Sequence, residues 1–242
     1  MNGHTSGPDA AGVAVAVELW LIDARAPESA PGTAVGLLDD GERERAERFV
    51  HAPDRLLYQV AHVTLRQVMG AHLGVEPAAL AFERESCPCC GALHGRPRVA
   101  AASVPAGRAL PHFNLSHGGD LVMLGLAAVP IGVDVELTAS AGTVGEVRGM
   151  LHPAEQQELA AERTLTEGEA FSRIWTRKEA YLKGLGTGLG RDLAEDYLGT
   201  TGAAPGPSGW TVLDIPAGPR HAAAFAVEAP TARYTLRHSV PA

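Results

Sequence analysis

The stretch "HFNLSHGGDLVMLGLAAVPIGVDVEL", residues 112–137, decides the fold class. Its apolar runs are separated by a loop at His117–Asp120 and by a turn at Pro130, a pattern typical of successive short strands. We therefore predict a short strand before the loop, a second strand over residues 121–128 and a third over residues 131–137. The centre of the chain is β-structure.

The segments on either side of this centre each carry one long helix. Alternating residues predict a strand over 13–23, and apolar residues at three- and four-residue steps predict a helix over 54–74 that Gly74 ends. Residues 150–184 have a helical pattern in two pieces. Three further strands are predicted within "WTVLDI", "HAAAFAVEA" and "RYTLRHSV", residues 210–215, 221–229 and 233–240.

This order predicts an α+β fold of two similar halves, each a small sheet packed on a long helix and related by a pseudo-two-fold axis. The predicted boundaries are a disordered N-terminus at residues 1–12, a first half at 13–129 and a second half at 130–242. Fusion of both halves in one chain predicts a monomer, since a site between the halves is complete without a partner subunit.

The composition narrows the class of ligand. The chain has 242 residues, 45% hydrophobic and 20% charged, with a net charge of −8. Such a charge gives no general attraction to nucleic acid or to an anionic membrane, so an anionic ligand needs a local basic patch. No apolar run is long enough to span a bilayer, and "GVAVAVELWLI" lacks the basic residue that precedes a signal sequence. We expect a cytoplasmic protein with neither nucleic acid nor membrane as a partner.

Two carboxylates in "GVDVEL" share one face of the third predicted strand. Because side chains alternate along a strand, Asp134 and Glu136 point one way while Val133 and Val135 point the other. Carboxylate oxygens are the ligands that Mg²⁺ prefers, often together with a substrate phosphate. The alternative is an ordinary solvent-exposed sheet face, on which acidic residues are common.

The helix "EAFSRIWTRKEAYLKGL" carries the only lysines of the chain. Trp175, Glu179 and Lys183 are spaced four apart and therefore line one face, next to the apolar stripe. The chain has 20 basic residues, of which only Lys178 and Lys183 are lysine. Lysine offers a compact charge and a movable proton that arginine does not. The alternative is a surface ion pair between Glu179 and Lys183.

Glycines follow this helix in the pattern G-x-G-x-G-x-G, from Gly184 to Gly190. A phosphate-binding glycine loop follows a strand and begins a helix, whereas these glycines follow a helix end that carries partial negative charge. We predict that Gly184 and Gly186 lie at the C-terminus of the helix and that the glycine run is not a nucleotide-binding loop.

For three other sets of residues, the sequence leaves more than one interpretation open. Arg55, His62 and Arg66 lie off the apolar stripe of the first long helix, where we predict a solvent-exposed face. Ser116 and His117 are neighbours on a strand, so they suit contacts to an anion better than a nucleophile–base pair. Cys87 and Cys90 form a C-x-x-C near His94, but no second pair completes a zinc site, so a tight loop of reduced thiols is favoured.

Together, these segments resemble the Sfp-type 4′-phosphopantetheinyl transferases. The match runs in order through "GRP" (95–97), "FNLSH" (113–117), "GVDVE" (132–136) and "WTRKEAYLKGLGTGL" (175–189). Glu42 departs from the pattern, since some relatives have a basic residue there, and so do Tyr58 and the "SHGG" sequence.

The resemblance implies transfer of phosphopantetheine from coenzyme A to a serine of an apo acyl or peptidyl carrier protein, with release of 3′,5′-ADP. It implies that Mg²⁺, with Mn²⁺ as a substitute, is held against the coenzyme A pyrophosphate by Asp134, Glu136 and Glu179. Glu179 would also be the general base, and Lys183 would neutralise the pyrophosphate. The other implied coenzyme A contacts are Ser116 and His117 at the phosphates, Arg96 and Pro97 at the adenosine end, and Arg45 near the 3′-phosphate.

Two alternatives to this function stay open. One is a metal-dependent phosphohydrolase that uses the same carboxylates and a water molecule on a nucleotide-like pyrophosphate. The other is a coenzyme A-binding module without catalysis. Carrier proteins of fatty acid, polyketide and nonribosomal peptide synthesis all remain open as acceptors, and the last two belong to secondary metabolite biosynthesis.

Overall fold

The computed structural model describes residues 14–29, 31–200 and 206–240, so the predicted disordered segment 1–12 lies outside the described residues. The strands are β1 (Val15–Asp23), β2 (Phe82–Arg84), β3 (Pro97–Val99), β4 (His112–Gly118), β5 (Leu121–Ala127), β6 (Ile131–Leu137), β7 (Thr211–Asp214), β8 (His221–Val227) and β9 (Ala232–Arg237). The α-helices are α1 (Asp40–Glu47), α2 (Ala52–Leu73), α3 (Ala141–Val147), α4 (Pro153–Ala161) and α5 (Glu167–Leu185). The predicted α+β class is confirmed.

The strands form two main sheets and a small ribbon. The first sheet has the order β4-β5-β1-β9, the second has the order β6-β8-β7, and β2 pairs with β3 alone. In the first sheet β1 pairs antiparallel with β5 and parallel with β9, so the last strand of the chain lies beside the first. The division at residue 130 and the pseudo-two-fold axis stay predictions.

Four layers build the core. Apolar residues of α2, such as Val60, Leu65 and Met69, pack with Trp20 and Leu124 on one face of the first sheet. The opposite face of that sheet packs on the second sheet, and the second sheet packs in turn on α5. The alternation of side chains along β1, β5 and β8 supplies both apolar faces of each sheet.

The second sheet and α5 approach each other at glycines. A Cβ atom on Gly132 of β6 would lie 1.9 Å from the carbonyl oxygen of Ala180, and one on Gly184 would lie 2.6 Å from the Trp210 ring. Gly184 lies in the last turn of α5, as predicted, and it is also a packing residue. Gly186 does end the helix, in the left-handed conformation at φ 82°.

Among the described residues, none of the helices has the length and apolar character needed to cross a membrane.

Candidate active site

Strand β6 directs Asp134 and Glu136 toward α5. Val133 and Val135 point into the core between the sheets, so the acidic residues take the opposite face, which α5 covers. Asp134 is 0% exposed. The alternative of a solvent-exposed sheet face is therefore wrong, and a charged residue fully inside the protein requires partners.

The partners of Asp134 come from the first sheet and from α5. Lys183 Nζ lies 2.5 Å from Asp134 Oδ1 and donates to Ser116 Oγ at 3.0 Å, while Ser116 Oγ donates to Asp134 Oδ1 at 2.8 Å. The second carboxylate oxygen, Asp134 Oδ2, is buried without a hydrogen-bond partner among the described residues. Lys183 thus pairs across to β6, and the alternative of a surface pair with Glu179 does not hold.

The first sheet meets β6 at this same point. Asn114 of β4 accepts a hydrogen bond from the backbone N–H of Val133 through its side-chain oxygen, at 3.1 Å. A Cβ atom on Gly118, at the end of β4, would lie 2.4 Å from the carbonyl oxygen of Val135. The two sheets therefore contact through β4 and β6, and Ser116 is within reach of Asp134 because of that contact.

Two further carboxyl groups face Asp134. Burial, followed by the charge of Asp134, raises the pKa of Glu136 to about 7. Burial also raises the pKa of Glu179, where the charge of Lys183 works against the shift and the charge of Asp134 adds to it. Three acidic groups share one ammonium, so the cluster has excess negative potential.

This cluster fits a divalent cation. It offers oxygen ligands, a buried carboxylate oxygen without a partner and uncompensated negative charge, which are the properties of Mg²⁺ sites. The carboxylate oxygens of Asp134, Glu136 and Glu179 do not all lie within 4.8 Å of one another. Among the described residues, one group of three His, Cys, Asp or Glu side chains meets that distance, and it lies elsewhere. Lys183 is the cation that Asp134 contacts in this structure.

A cleft of about 390 Å³ opens beside the cluster. Its wall includes His117 of β4, Pro97 of β3 and Lys183 of α5, so three of the predicted coenzyme A contacts line one cavity. Desolvation and the positive charges of His62 and Lys183 lower the pKa of His117. The other lining residues are Glu42, His62, Leu65, Phe82, Glu83, Arg84, Phe113, Asn114 and Leu115.

Three predicted coenzyme A contacts take other positions. Ser116 is buried on Asp134, as alternation along β4 requires when His117 faces the cleft. Arg96 Nε donates to Glu85 at 2.8 Å and Arg96 Nη1 donates to the carbonyl oxygen of Gly184 at 3.0 Å, at the C-terminal end of α5. Arg45 is exposed in the last turn of α1, near Tyr58.

A buried charge network that the sequence analysis missed lies behind the cleft. Arg66 is 0% exposed and its guanidinium donates to Glu42 at 2.6 Å, to Asp39 at 2.7 Å and to the carbonyl oxygen of Leu80 at 2.9 Å. His62, one turn earlier, lies 2.9 Å from the other Glu42 oxygen. The predicted solvent-exposed face is therefore wrong for Arg66. The four-residue spacing of two basic side chains beside an apolar stripe was the available signal.

The two lysines of α5 have different roles. Lys178 is 2% exposed, lies 2.8 Å from Glu155 and donates to the carbonyl oxygens of Leu193 and Asp196 at 2.7 and 2.6 Å. It ties α5 to α4 and to the segment after α5. Only Lys183 reaches the carboxylate cluster, and its side chain is 28% exposed toward the cleft.

Comparison with known proteins gives two adjacent family matches. The 4′-phosphopantetheinyl transferase superfamily matches residues 130–212, and the N-terminal region of 4′-phosphopantetheinyl transferases matches residues 28–130. The boundary between the two matches falls at Pro130, the turn between β5 and β6.

Curated relatives agree with the family matches. The chain is 29% identical over 205 residues to the 4′-phosphopantetheinyl transferase HetI of Nostoc, and this alignment covers 82% of each chain. It is 25% identical to the 4′-phosphopantetheinyl transferase Sfp of Bacillus subtilis, over 61% of this chain and 60% of that protein. It is 30% identical to the 4′-phosphopantetheinyl transferase psf-1 of Bacillus pumilus, over 63% of this chain and 60% of that protein.

The alignments to the two Bacillus proteins thus span less than two thirds of their length, whereas the alignment to the Nostoc protein spans most of it. The family matches meet at residue 130 and together span residues 28–212, which include β2 to β6, the residues that line the cleft and the carboxylate cluster; β1, β8 and β9 lie outside them. The chain belongs to the 4′-phosphopantetheinyl transferase family.

Proposed function

We propose that this chain transfers 4′-phosphopantetheine from coenzyme A to a serine hydroxyl of an apo acyl or peptidyl carrier protein and releases 3′,5′-ADP. The reaction depends on Mg²⁺, with Mn²⁺ as a substitute ion. The proposal includes the monomeric state and the cytoplasmic location predicted from the sequence.

One observation carries the proposal. Lys183 belongs both to the wall of the cleft and to the carboxylate cluster, since its ammonium contacts Asp134 while its side chain lines the cavity. An anionic ligand in the cleft would meet this ammonium at the edge of the cluster. A pyrophosphate at that position suits a site that combines a cation, a metal-binding set of carboxylates and a base.

The residues of the chain would divide the work as follows. Asp134, Glu136 and Glu179 would hold Mg²⁺, which supplies charge neutralisation for the pyrophosphate oxygens. His117 and Pro97 would form the wall along which coenzyme A lies. Lys183 would place its charge at the developing negative charge of the leaving group, where a compact ammonium is most effective.

Glu179 would act as the general base, because its raised pKa brings it closer to the range in which a carboxylate accepts a proton efficiently. The serine proton passes to Glu179 while the serine oxygen bonds to the phosphorus that carries pantetheine. The bond from that phosphorus to the bridging oxygen breaks, and the bridging oxygen leaves with 3′,5′-ADP. No covalent intermediate on this chain is needed.

Family membership favours transfer over the two alternatives. A phosphohydrolase would use the same carboxylates with water as the nucleophile, and a binding module without catalysis would have no need of a buried acidic cluster. Asp134, Glu136 and Glu179 are all present and face one another, which argues against the binding module.

Intact-mass measurement of the carrier protein tests the function. Incubation with coenzyme A, Mg²⁺ and a set of apo carriers from fatty acid, polyketide and nonribosomal peptide synthesis should add one phosphopantetheine to at least one of them. Glu179→Gln should bind coenzyme A and leave the carrier mass unchanged. Glu167→Gln, at an exposed position on the same helix, is the matched control and should transfer normally.

Each alternative has its own outcome in this experiment. Cleavage of coenzyme A with no carrier modified would identify a phosphohydrolase. Coenzyme A binding without cleavage, in both the parent protein and Glu179→Gln, would identify a binding module.

A further inference from the structure

The loop that joins β2 to β3, residues 85–96, buries almost none of its own side chains. The residues from Pro88 to His94 are all exposed, and Leu93 is 74% exposed. Backbone hydrogen bonds close its base, from Glu85 N–H to the Arg96 carbonyl and from Gly95 N–H to the Glu85 carbonyl, both at 2.9 Å, and others form a turn within it. Apolar burial cannot hold the tip of such a loop in place.

Three side chains with metal-binding atoms converge at this tip. The ligand atoms of Cys87, Cys90 and His94 all lie within 4.8 Å of one another, and Cys90 Sγ lies 3.0 Å from His94 Nε2. In a tetrahedral zinc site, Zn–S bonds of about 2.3 Å place two sulfur ligands roughly 3.8 Å apart. The observed spread requires only small side-chain adjustments to reach that arrangement.

The backbone between the cysteines already forms a tight turn around the first sulfur. Gly91 has φ 75°, and its N–H donates to the Cys87 carbonyl at 2.8 Å, while Cys87 N–H donates to the Ala92 carbonyl at 2.8 Å. The N–H groups of Cys89 and Cys90 are also directed at the Cys87 sulfur. This turn holds that sulfur beside the ligand atoms of Cys90 and His94.

We propose that Cys87, Cys90 and His94 bind one Zn²⁺ ion, separate from the carboxylate cluster, with solvent as the fourth ligand. Two thiolates and an imidazole select zinc over magnesium, which prefers oxygen ligands. The sequence offered only one C-x-x-C, but the fold brings His94 back to the pair as a third ligand. A disulfide between the two cysteines would leave the convergence of His94 without a purpose.

The ion would cross-link a loop that lies next to the cleft. Arg96 and Pro97 follow directly after His94 and Gly95, and Pro97 lines the cleft while Arg96 contacts the end of α5. Cys89 is not one of the three converging ligands: its side chain hydrogen-bonds to Cys87, and its sulfur lies near Gly190 after α5. A metal at the loop tip would therefore fix the ribbon that forms one wall of the cleft.

Metal analysis of the full chain, purified under reducing conditions without chelators, tests the site. After incubation with Zn²⁺ and gel filtration, we expect about one bound ion per chain. Cys90→Ser and His94→Ala should lower the zinc content about tenfold or more. Cys89→Ser is the matched control in the same loop, and Glu179→Gln is the control for the carboxylate cluster. Both should retain zinc.

Substitution with Co²⁺ gives a second readout that does not depend on variants. The cobalt protein should show the visible ligand-field bands of a tetrahedral site and a sulfur-to-metal charge-transfer band. Zinc absent from the reduced parent protein, zinc retained in His94→Ala, or zinc lost in Cys89→Ser would each overturn the assignment. A Cys87–Cys90 disulfide in a reduced-then-reoxidised protein that never binds zinc would identify a redox pair instead.

Discussion

Glu136→Gln should make the metal-free protein more stable while it removes the activity. Burial and the charge of Asp134 raise the pKa of Glu136 to about 7, so ionised Glu136 destabilises the folded state. Glutamine keeps the shape of the side chain and removes the charge. The exchange therefore separates the contribution of the carboxylate to stability from its contribution to metal binding.

The size of the expected gain in stability follows from the shift in the pKa of Glu136. A rise from 4.5 to about 7 corresponds to an upper limit of roughly 3 kcal/mol. Glu136 is partly exposed, so solvent screening reduces the expected gain for the glutamine variant to about 1–2 kcal/mol. For a chain of this size, that gain raises the melting temperature by roughly 2–6 °C.

The raised pKa of Glu136 also determines how its contribution to stability changes with pH. Below about pH 4.5 Glu136 is protonated in the folded and unfolded states alike, so its charge makes no difference. Between about pH 4.5 and pH 7 the unfolded state has released this proton and the folded state retains it, so the stability contribution of Glu136 falls as the pH rises. Above about pH 7 the full penalty is present, and the advantage of the variant should be greatest.

Urea unfolding in EDTA at pH 5 and pH 8 measures this difference. Glu47→Gln, the same exchange at an exposed position on α1, should show no such pH-dependent gain. Excess Mg²⁺ should stabilise the parent protein more than Glu136→Gln, because ligand binding to the folded state adds to stability. If Glu136→Gln is no more stable than the parent protein at pH 8 in EDTA, the electrostatic argument for the cluster is wrong.

Three further predictions concern single residues. Lys183→Ala should lower the transfer rate by about 100-fold or more while circular dichroism shows the fold retained, and it should also lower the urea midpoint because the buried Asp134 carboxylate loses its cation; full activity of Lys183→Arg would show that a compact charge is not required. Arg66→Met should cost about 3 kcal/mol or more in urea unfolding, because it leaves the Glu42 carboxylate buried without its cation; an unchanged midpoint would show that the network is not stabilising. Gly132→Ala should prevent stable folding, judged by circular dichroism, since its Cβ would lie 1.9 Å from the Ala180 oxygen, whereas Gly145→Ala, with no heavy atom within 4 Å of its Cβ, should fold normally.

The local sequence pattern was sufficient to predict the strand and the helix that carry the carboxylate cluster. The alternation in "GVDVEL" placed Asp134 and Glu136 on one face, and the four-residue steps of α5 placed Glu179 and Lys183 on one side of a helix. Each of these inferences depends on residues within one turn or one strand of each other. The convergence of the four residues came from the family resemblance, because spacing within an element carries no information about which elements meet.

The failures share a physical cause. Arg66 was assigned to solvent although its carboxylate partner, Glu42, lies 24 residues earlier in the chain, on another helix. Gly184 was placed correctly in the last turn of α5, but its close contact with the Trp210 ring, 26 residues later, was not predicted. The pairing of β9 with β1 joins residues more than 200 positions apart. Buried charges and close backbone contacts are decided by the partner, and a single sequence does not show the partner.

The packing of β6 explains why the fold tolerates the electrostatic repulsion among the three carboxyl groups. Three carboxyl groups around one ammonium oppose folding, yet β6, which carries two of them, is fixed from both sides. Val133 and Val135 are fully buried between the sheets on one side, and the glycine contacts with α5 hold the other. A slip of β6 by one residue would drive both carboxylates into the apolar layer and cost far more than their repulsion. The packing that fixes the register therefore also keeps the carboxylates together, and a bound cation at this site would add stability that the isolated chain lacks.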